Sequence, residues 1–346
     1  MEEQRNISAF LNEIPQPAIL VWENQITTVN QAAGSMFLAS GQDFSSLLCG
    51  NREDYEAFQE GQISLTLSVA GHRHHAVVTR TAQGDLVVLN TDSDLGEFRS
   101  MALVAMEMRM PLMQAIASAR QMDADVPASA SINQSLMQML RMVSNMADIS
   151  RYTLSSRMEL RDVDSFLMEL FEKATALASK NISIRFEGLR QPVFSLIDPE
   201  QVERAVWNIL SNCIKFTPAG GSITAKLTRT ETALRLTVTD SGSGIAHAVR
   251  SDLFHRYLRQ PGIEDSRYGL GLGLAIVRTV AANHGGTVLV RGTEAGGTAI
   301  TMTLALRQDS AATLHSPLLR PDYTGGWDHA LVELSDCLSP DLYQEL

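Results

Sequence analysis

Four short motifs stand at nearly equal intervals in the second half of this 346-residue chain, and their order limits what it can fold into. They are marked by Asn212, Asp240, Gly269 and Gly297, with successive separations of 28, 29 and 28 residues. Any one of them alone is weak. Asp240-Ser-Gly242-Ser-Gly244 is a common kind of turn, and Gly269-Leu-Gly271-Leu-Gly273 would also serve tight helix–sheet packing. Together, in this order, they are far more specific. The first motif lies in a segment with the punctuation of a helix: Asp198 as N-cap, Pro199 at the first helical position and Pro218 just past the end. Within it Arg204, Asn208 and Asn212 recur every fourth residue and share a face, with Lys215 nearby. Two asparagines on one face suit a solvated surface as readily as a site. A carboxamide oxygen can also ligate Mg²⁺, and a lysine can neutralise phosphate. The glycines at 269, 271 and 273 open a helix carrying Ile276, Val277 and Val280, where backbone N–H groups could approach phosphate oxygens and the helix dipole would add to the attraction. Ala295-Gly296-Gly297-Thr298 then leads into a last strand, Ala299–Leu306.

In this arrangement residues 160–307 resemble the ATP-binding domain of sensor histidine kinases, within the wider ATPase family shared with gyrase and certain chaperones. The resemblance implies an α/β sandwich with a mixed sheet that binds ATP and Mg²⁺. It assigns Asn212 to Mg²⁺, Lys215 to the phosphates and Asp240 to the adenine amino group. Gly242 and Gly244 would shape the adenine pocket, Gly269, Gly271 and Gly273 would meet the phosphates, and Asn208 and Thr298 complete the expected nucleotide-binding set. Leu253-Phe254-His255-Arg256-Tyr257 resembles the family's phenylalanine box in the ATP lid. Arg256 and Arg259 are candidate γ-phosphate contacts, or equally solvated lid cations. Gyrase-type ATPases, the related chaperones and the anti-sigma-factor serine kinases carry a glutamate one turn before the Mg²⁺ asparagine, as a general base. That position is Asn208 here, an amide with no useful basicity, which disfavours stand-alone ATP hydrolysis and serine phosphorylation.

Residues 95–156 change texture. Apolar residues recur at 98, 101/102, 105, 108, 112, 116 and 119, then at 132, 136, 139, 143 and 146 beyond a break containing Pro127. Two such helices form an antiparallel hairpin, and a hairpin with an exposed seam is expected to pair with a second copy as a dimeric four-helix bundle. In the histidine kinase family the first helix carries His-Glu-x-Arg-x-Pro-Leu. This chain reads Met106-Glu107-Met108-Arg109-Met110-Pro111-Leu112. Met106 occupies the phosphoacceptor position, and a thioether cannot form a phosphoramidate. Glu107 keeps the place of the candidate base, without an acceptor beside it. No histidine lies between His75 and His247 to substitute. Met110 stands where members with phosphatase activity have a Thr or Asn that positions water. Met106, Met110 and Met113 fall on one face, either an adaptable docking stripe or a product of drift after catalysis was lost, partly covered by a neighbouring domain. Twelve of the fifteen methionines lie between Met101 and Met168, so methionine richness belongs to this region.

Residues 7–92 mix short strand-like runs with turns and resemble a PAS sensor domain, an α+β fold, from Leu11-Asn-Glu-Ile-Pro15 through the strand pair flanking Glu23-Asn24-Gln25. His72, His74 and His75 read as solvated strand residues rather than haem or metal ligands, because no further ligand set accompanies them. Residues 309–346 hold seven acids against Arg320 alone, and the run Asp328–Leu338 is amphipathic, suited to covering an edge of the ATP domain or to acting as a detachable motif. The net charge of −11 disfavours a nucleic-acid partner. No apolar run is long enough to span a membrane, and the opening MEEQR is unlike a signal peptide, so the expected location is cytoplasmic, without membrane insertion. Three scattered cysteines make no disulfide framework or zinc site. The expectation is a multidomain α+β chain: a PAS-like unit, a dimerisation hairpin with a degenerate histidine box, an ATP-binding domain and an acidic extension. Its expected role is a homodimeric, ATP–Mg²⁺-binding signalling pseudokinase of the histidine kinase family, with a response regulator or a partner histidine kinase as possible partner. The alternative is an active kinase acting in trans on a partner hairpin in a two-component system, and a hydrolytic ATPase is third.

Overall fold

The computed structural model describes residues 10–89, 92–120, 128–152, 156–178, 181–244, 272–307 and 324–344, with 92–101 and 149–152 as backbone only. The N-terminal unit is a five-stranded antiparallel sheet of β1 (Ala18–Trp22), β2 (Gln25–Val29), β3 (Gln62–Val69), β4 (His72–Thr81) and β5 (Gly84–Leu89), in the order β2-β1-β5-β4-β3. Two short helices, α1 (Gln31–Ser35) and α2 (Arg52–Ala57), fill the connection between β2 and β3. Asn30 ties the entry of this unit together. Its carboxamide oxygen caps α1 through Ala33 N and accepts from Ala18 N, while its nitrogen donates to the carbonyls of Leu11, Ile14 and Gln16. Phe44, Tyr55 and Phe58 anchor the core on one side of the sheet.

Two long helices follow, α3 (Asp92–Ala119) and α4 (Ser129–Tyr152). Ala105, Leu112 and Ile116 of α3 are buried with Met137, Leu140 and Val143 of α4. Of the apolar α4 residues expected at the seam, Val143 is buried and Leu136 and Met146 pack against the core, whereas Ile132 is 37% and Met139 43% exposed. Alongside this apolar row α4 turns a polar stripe inward, with Asn133, Arg141, Asn145 and Asp148 buried. These four polar groups are buried because partners from other elements meet them, which overrides the simple apolar-inside pattern.

The second α/β unit holds β7 (Ser183–Glu187), β9 (Ser222–Arg229), β10 (Ala233–Asp240), β11 (Val288–Gly292) and β12 (Thr298–Ala305) in the order β11-β12-β10-β9-β7. Only β7–β9 is parallel, so this is the mixed sheet expected. A separate two-stranded ribbon pairs β6 (Glu159–Asp162) with β8 (Phe194–Ile197). The helices α5 (Val163–Leu177), α6 (Pro199–Phe216) and α7 (Gly273–Asn283) supply the other layer, with Trp207 of α6 fully buried in the shared core. On β10 the period-two alternation points Leu234, Leu236, Val238 and Asp240 inward. A carboxylate thus ends an otherwise apolar row. The described part of the C-terminal segment, with α8 (His329–Glu333) and a 3₁₀ turn at Pro340–Tyr343, packs into the same core through Ala330, Val332, Leu334, Cys337, Leu338 and Tyr343.

The two sheets are not separate. β3 pairs antiparallel with β11, Ser64 opposite Val288 and Gln62 opposite Val290, making one ten-stranded sheet. Asp54 of α2 reinforces the join: its carboxylate pairs with Arg235 at 3.0 Å and accepts from the hydroxyls of Thr287 and Thr303 at 2.8 and 3.0 Å. Short polar contacts of this kind between distant segments carry no local pattern, so the sequence reading treats the units as independent. Asp54→Ala is expected to cost about 1–3 kcal/mol, because the hydroxyls and the guanidinium lose a charged acceptor together. Urea unfolding measures this, and an unchanged midpoint would mean that the join contributes no stability.

Candidate functional site

The site is organised by α6. Asp198 caps its first turn through Gln201 N at 3.2 Å and Pro199 occupies the first helical position. His284, at the end of α7, accepts from Asp198 N through Nε2 at 2.9 Å, while its Nδ1 lies 2.7 Å from the Val280 carbonyl. This requires a neutral ring with the proton on Nδ1. Burial is the main cause that holds the imidazole below its ordinary 6.5, with a smaller push from Arg307; the Val280 carbonyl and Asp198 act in the opposite sense.

One face of α6, with Val202, Val206, Ile209, Leu210 and Cys213, is buried in the core. The other carries Arg204, Asn208 and Lys215, and it is covered rather than solvated. Arg204 is fully buried: one guanidinium nitrogen lies 2.5 Å from Asp148 and 2.8 Å from the Asn145 carboxamide oxygen of α4, and the other pairs with Glu333 of α8. Asn208 is buried too, donating to the Arg204 carbonyl at 2.9 Å, with Arg141 Nη2 3.5 Å from its oxygen. A Cβ on Gly273, at the start of α7, would come within 2.9 Å of the same Asn208 oxygen, so glycine lets the helix start approach this closely. Asn212 is half-buried. Lys215 Nζ lies 2.7 Å from Asp336.

At the end of β10, Asp240 accepts from Gly242 N at 2.9 Å and Thr298 N at 3.2 Å through one oxygen. Burial pushes this carboxyl up, while those two N–H groups and the neighbouring Cys213 thiol hold it down; the net direction is upward. The Cys213 thiol is raised well above its ordinary range by burial and by Asp240. Gly242 has no room for a side chain, since a Cβ would stand 2.5 Å from the Phe216 carbonyl and 2.8 Å from Asp240. Gly244 takes a positive φ of 71° against Gly296. Asp240, Gly242, Gly244 and Thr298 are thus brought to one end of the sandwich. Arg256, Arg259, Gly269 and Gly271, with the phenylalanine-box segment, lie outside the described residues.

The remaining sequence candidates fall elsewhere. Met106 and Met110 are 65% and 67% exposed on α3, with Glu107 exposed between them. Met113, one turn on, is half-buried, and a Cβ at Gly325 would meet its terminal methyl at 2.6 Å. Among the described residues no group of three or more His, Cys, Asp or Glu could hold a metal ion, His72–His75 included, and no helix is long and apolar enough to cross a membrane. Mg²⁺ shared between a carboxamide such as Asn212 and nucleotide phosphates remains compatible with this.

Sequence reasoning missed Arg141, Asn145, Asp148, Glu333 and Asp336. The spacing was available: Gln134, Gln138, Arg141, Asn145 and Asp148 follow a four–three–four–three repeat, a polar stripe on a helix that otherwise packs apolar residues.

Residues 197–308 match the family model of the histidine kinase-, DNA gyrase B-, and HSP90-like ATPases. The sensor histidine kinase TmoS of Ectopseudomonas mendocina is 31% identical over 52% of this chain and 19% of its own length. The histidine protein kinase DivJ of Caulobacter vibrioides is 26% identical over 69% of this chain and 41% of its own. In both cases the chain spans less than half of the relative, so the similarity reaches only part of each protein. The crystal structure of full-length ShkA in complex with AMPPNP superposes with a TM-score of 0.52 at 22% identity, covering 62% of this chain and 47% of that one, a likeness of fold.

Because the folded-state pKa of His284 is depressed, its stabilising contribution is complete above 6.5 and is lost as pH falls toward the folded value, the unfolded chain taking up the proton first. Denaturation midpoints are expected to drop between about pH 7.5 and 5.5, and His284→Gln to flatten that slope. An identical slope in the variant would show that His284 is not the titrating group.

Proposed function

We propose that this chain, whose residues 197–308 match the histidine kinase-, DNA gyrase B-, and HSP90-like ATPase family model, is a nucleotide-binding signalling pseudokinase. The observation that carries this reading is the contrast between its two sites. Asp240, Gly242, Gly244 and Thr298, read as nucleotide-binding residues, lie together at one end of the α/β sandwich, whereas Met106, exposed on the hairpin, stands at the position that the motif reading gives to the phosphoacceptor histidine. Asp240, held by Gly242 N and Thr298 N, is suited to accept from the adenine amino group. Asn212 would hold Mg²⁺, Lys215 a phosphate, and the N-terminus of α7 at Gly273 the remaining phosphate charge, together with Arg256, Gly269 and Gly271. Asn208 offers no base to activate water, and its amide is already engaged with Arg204 and Arg141. Bound Mg²⁺ would supply charge neutralisation between phosphate oxygens. Glu107 has no acceptor proton to take, and the Met110 thioether cannot orient a water molecule for dephosphorylation.

The N-terminal antiparallel sheet with its helical connection supports a PAS-type sensor, and its direct strand pairing with β11 is a route by which a ligand-induced change could reach the ATP domain. Val104 and Met108 of α3 and Ile132 and Met139 of α4 are exposed apolar residues on the hairpin, which supports pairing with a second copy as a homodimer. A response regulator or a partner histidine kinase would then be read through conformation rather than through phosphate on this chain.

Purified protein given radiolabelled ATP–Mg²⁺ is expected to bind nucleotide yet take no label on its own, with Asp240→Ala weakening binding about tenfold or more. Label acquired only by Met106→His would show that the acceptor alone is absent. Label on the wild-type chain would contradict the pseudokinase reading, and label only on an added histidine-bearing hairpin would replace it with phosphorylation in trans.

A further inference from the structure

The acidic C-terminal segment is seated on two elements at once. Toward α4 it is held both through its backbone and by charge: Gln134 donates to the carbonyls of Ser335 and Leu338, Gln138 to Ser335 and Asn133 to Tyr343, all between 2.8 and 3.1 Å, and Arg141 of α4 pairs with Asp336 and lies 3.5 Å from Glu333. Toward α6 it is held by charge. Glu333 pairs with Arg204, and Asp336 pairs with Lys215 at 2.7 Å while also lying 2.6 Å from Arg141. Further contacts join the segment to the same α/β unit, an ion pair of Asp328 with Lys173 at 2.8 Å and a hydrogen bond between His329 Nδ1 and Glu203 at 2.9 Å. Burial raises the Asp336 carboxyl, but the charges and hydrogen bonds of Arg141 and Lys215 outweigh it and hold it below its ordinary value.

We propose that residues 324–344 form an internal strap that competes with the phosphates of ATP–Mg²⁺ for Lys215, so that nucleotide binding and release of the strap from α6 are coupled. The proposal rests on the reading of Lys215 as a phosphate ligand. Asp336 occupies the lysine ammonium in the manner of an anion ligand, with an oxygen at ion-pair distance from two cations. A triphosphate brought to the same ammonium would meet that carboxylate across a few ångströms in a largely buried setting, where like charges repel strongly. One of the two anions must yield. By linkage, whatever the strap costs the nucleotide, the nucleotide costs the strap. The contacts to α4, backbone carbonyls with Asn133, Gln134 and Gln138 and carboxylates with Arg141, involve none of the residues read as phosphate ligands, so they can hold the strap on the hairpin while its grip on Lys215 opens. The same carboxylates therefore set how firmly the ATP domain is fastened to the hairpin.

The test measures ATP–Mg²⁺ affinity by calorimetry for the full chain and for Asp336→Asn, and follows hydrogen exchange of residues 328–344 in the wild type with and without ATP–Mg²⁺. Competition predicts that Asp336→Asn binds nucleotide about 5- to 150-fold more tightly. It also predicts faster exchange across 328–344 in the wild type when nucleotide is present, a readout that needs no variant to fold. Equal affinities in the two proteins, with strap exchange unchanged by nucleotide, would overturn the proposal and leave the nucleotide site standing. Failure of both proteins to bind ATP–Mg²⁺ would overturn the nucleotide-site reading, and the strap proposal with it.

Discussion

Six charged side chains from three segments far apart in the chain meet around Arg204: the cations Arg141, Arg204 and Lys215 and the carboxylates Asp148, Glu333 and Asp336. Taking such charges out of water costs several kcal/mol per ion, and the loss is recovered only where pairing is complete. Here the signs balance three against three, and Asn145 and Asn208 add amide oxygens to the guanidinium groups. A cluster of this kind contributes less to net stability than an apolar core of the same size would. It does dictate geometry, because shifting α4, α6 or the C-terminal segment strands a buried charge. The mutual position of hairpin, ATP domain and tail follows from that constraint.

The parts of the fold legible in the sequence are those written in local chemistry. The Asp198-Pro199 helix start and the apolar strand that leads into Asp240 each have a cause within a few residues or one strand. The α/β sandwich with its mixed sheet came from the family resemblance of the ordered motifs, and the crowding that demands glycine at 242 is visible only in the fold. What was not readable depended on partners distant in the chain. Ile132 and Met139 look like seam residues, yet they stay exposed while a polar stripe of α4 turns inward beside Met137, Leu140 and Val143, because Arg204, Glu333 and Asp336 meet it. Likewise Asp54 carries no mark showing that it will join two sheets. The acidity of the tail was visible, but its cationic partners were not.

On the proposed reading, the arrangement links two features that looked unrelated: Met106 at the place of an acceptor histidine and an acidic tail. A chain that does not move phosphate onto its own hairpin has no need for its ATP domain to swing freely against that hairpin. The six-charge cluster fastens the two together, and Met113 lies beneath Gly325 of the same tail, while Met106 and Met110 stay open on the surface. On that reading the nucleotide has a conformational rather than a chemical role, since Lys215, read as a phosphate ligand, lies within the fastening.

The central claim is that Arg204 and Glu333 are directly coupled in the folded chain, so a double-mutant cycle with Arg204→Met and Glu333→Gln tests it most directly. Glu333→Gln takes one of two carboxylates from Arg204 and Arg204→Met takes the cation from both Glu333 and Asp148, whereas the double variant removes the Arg204–Glu333 pair itself and leaves Asp148 as in the Arg204 single. The account predicts a coupling energy of about 1–3 kcal/mol by chemical denaturation, with the double variant less destabilised than the sum of the singles. Additivity within about 0.5 kcal/mol would contradict it.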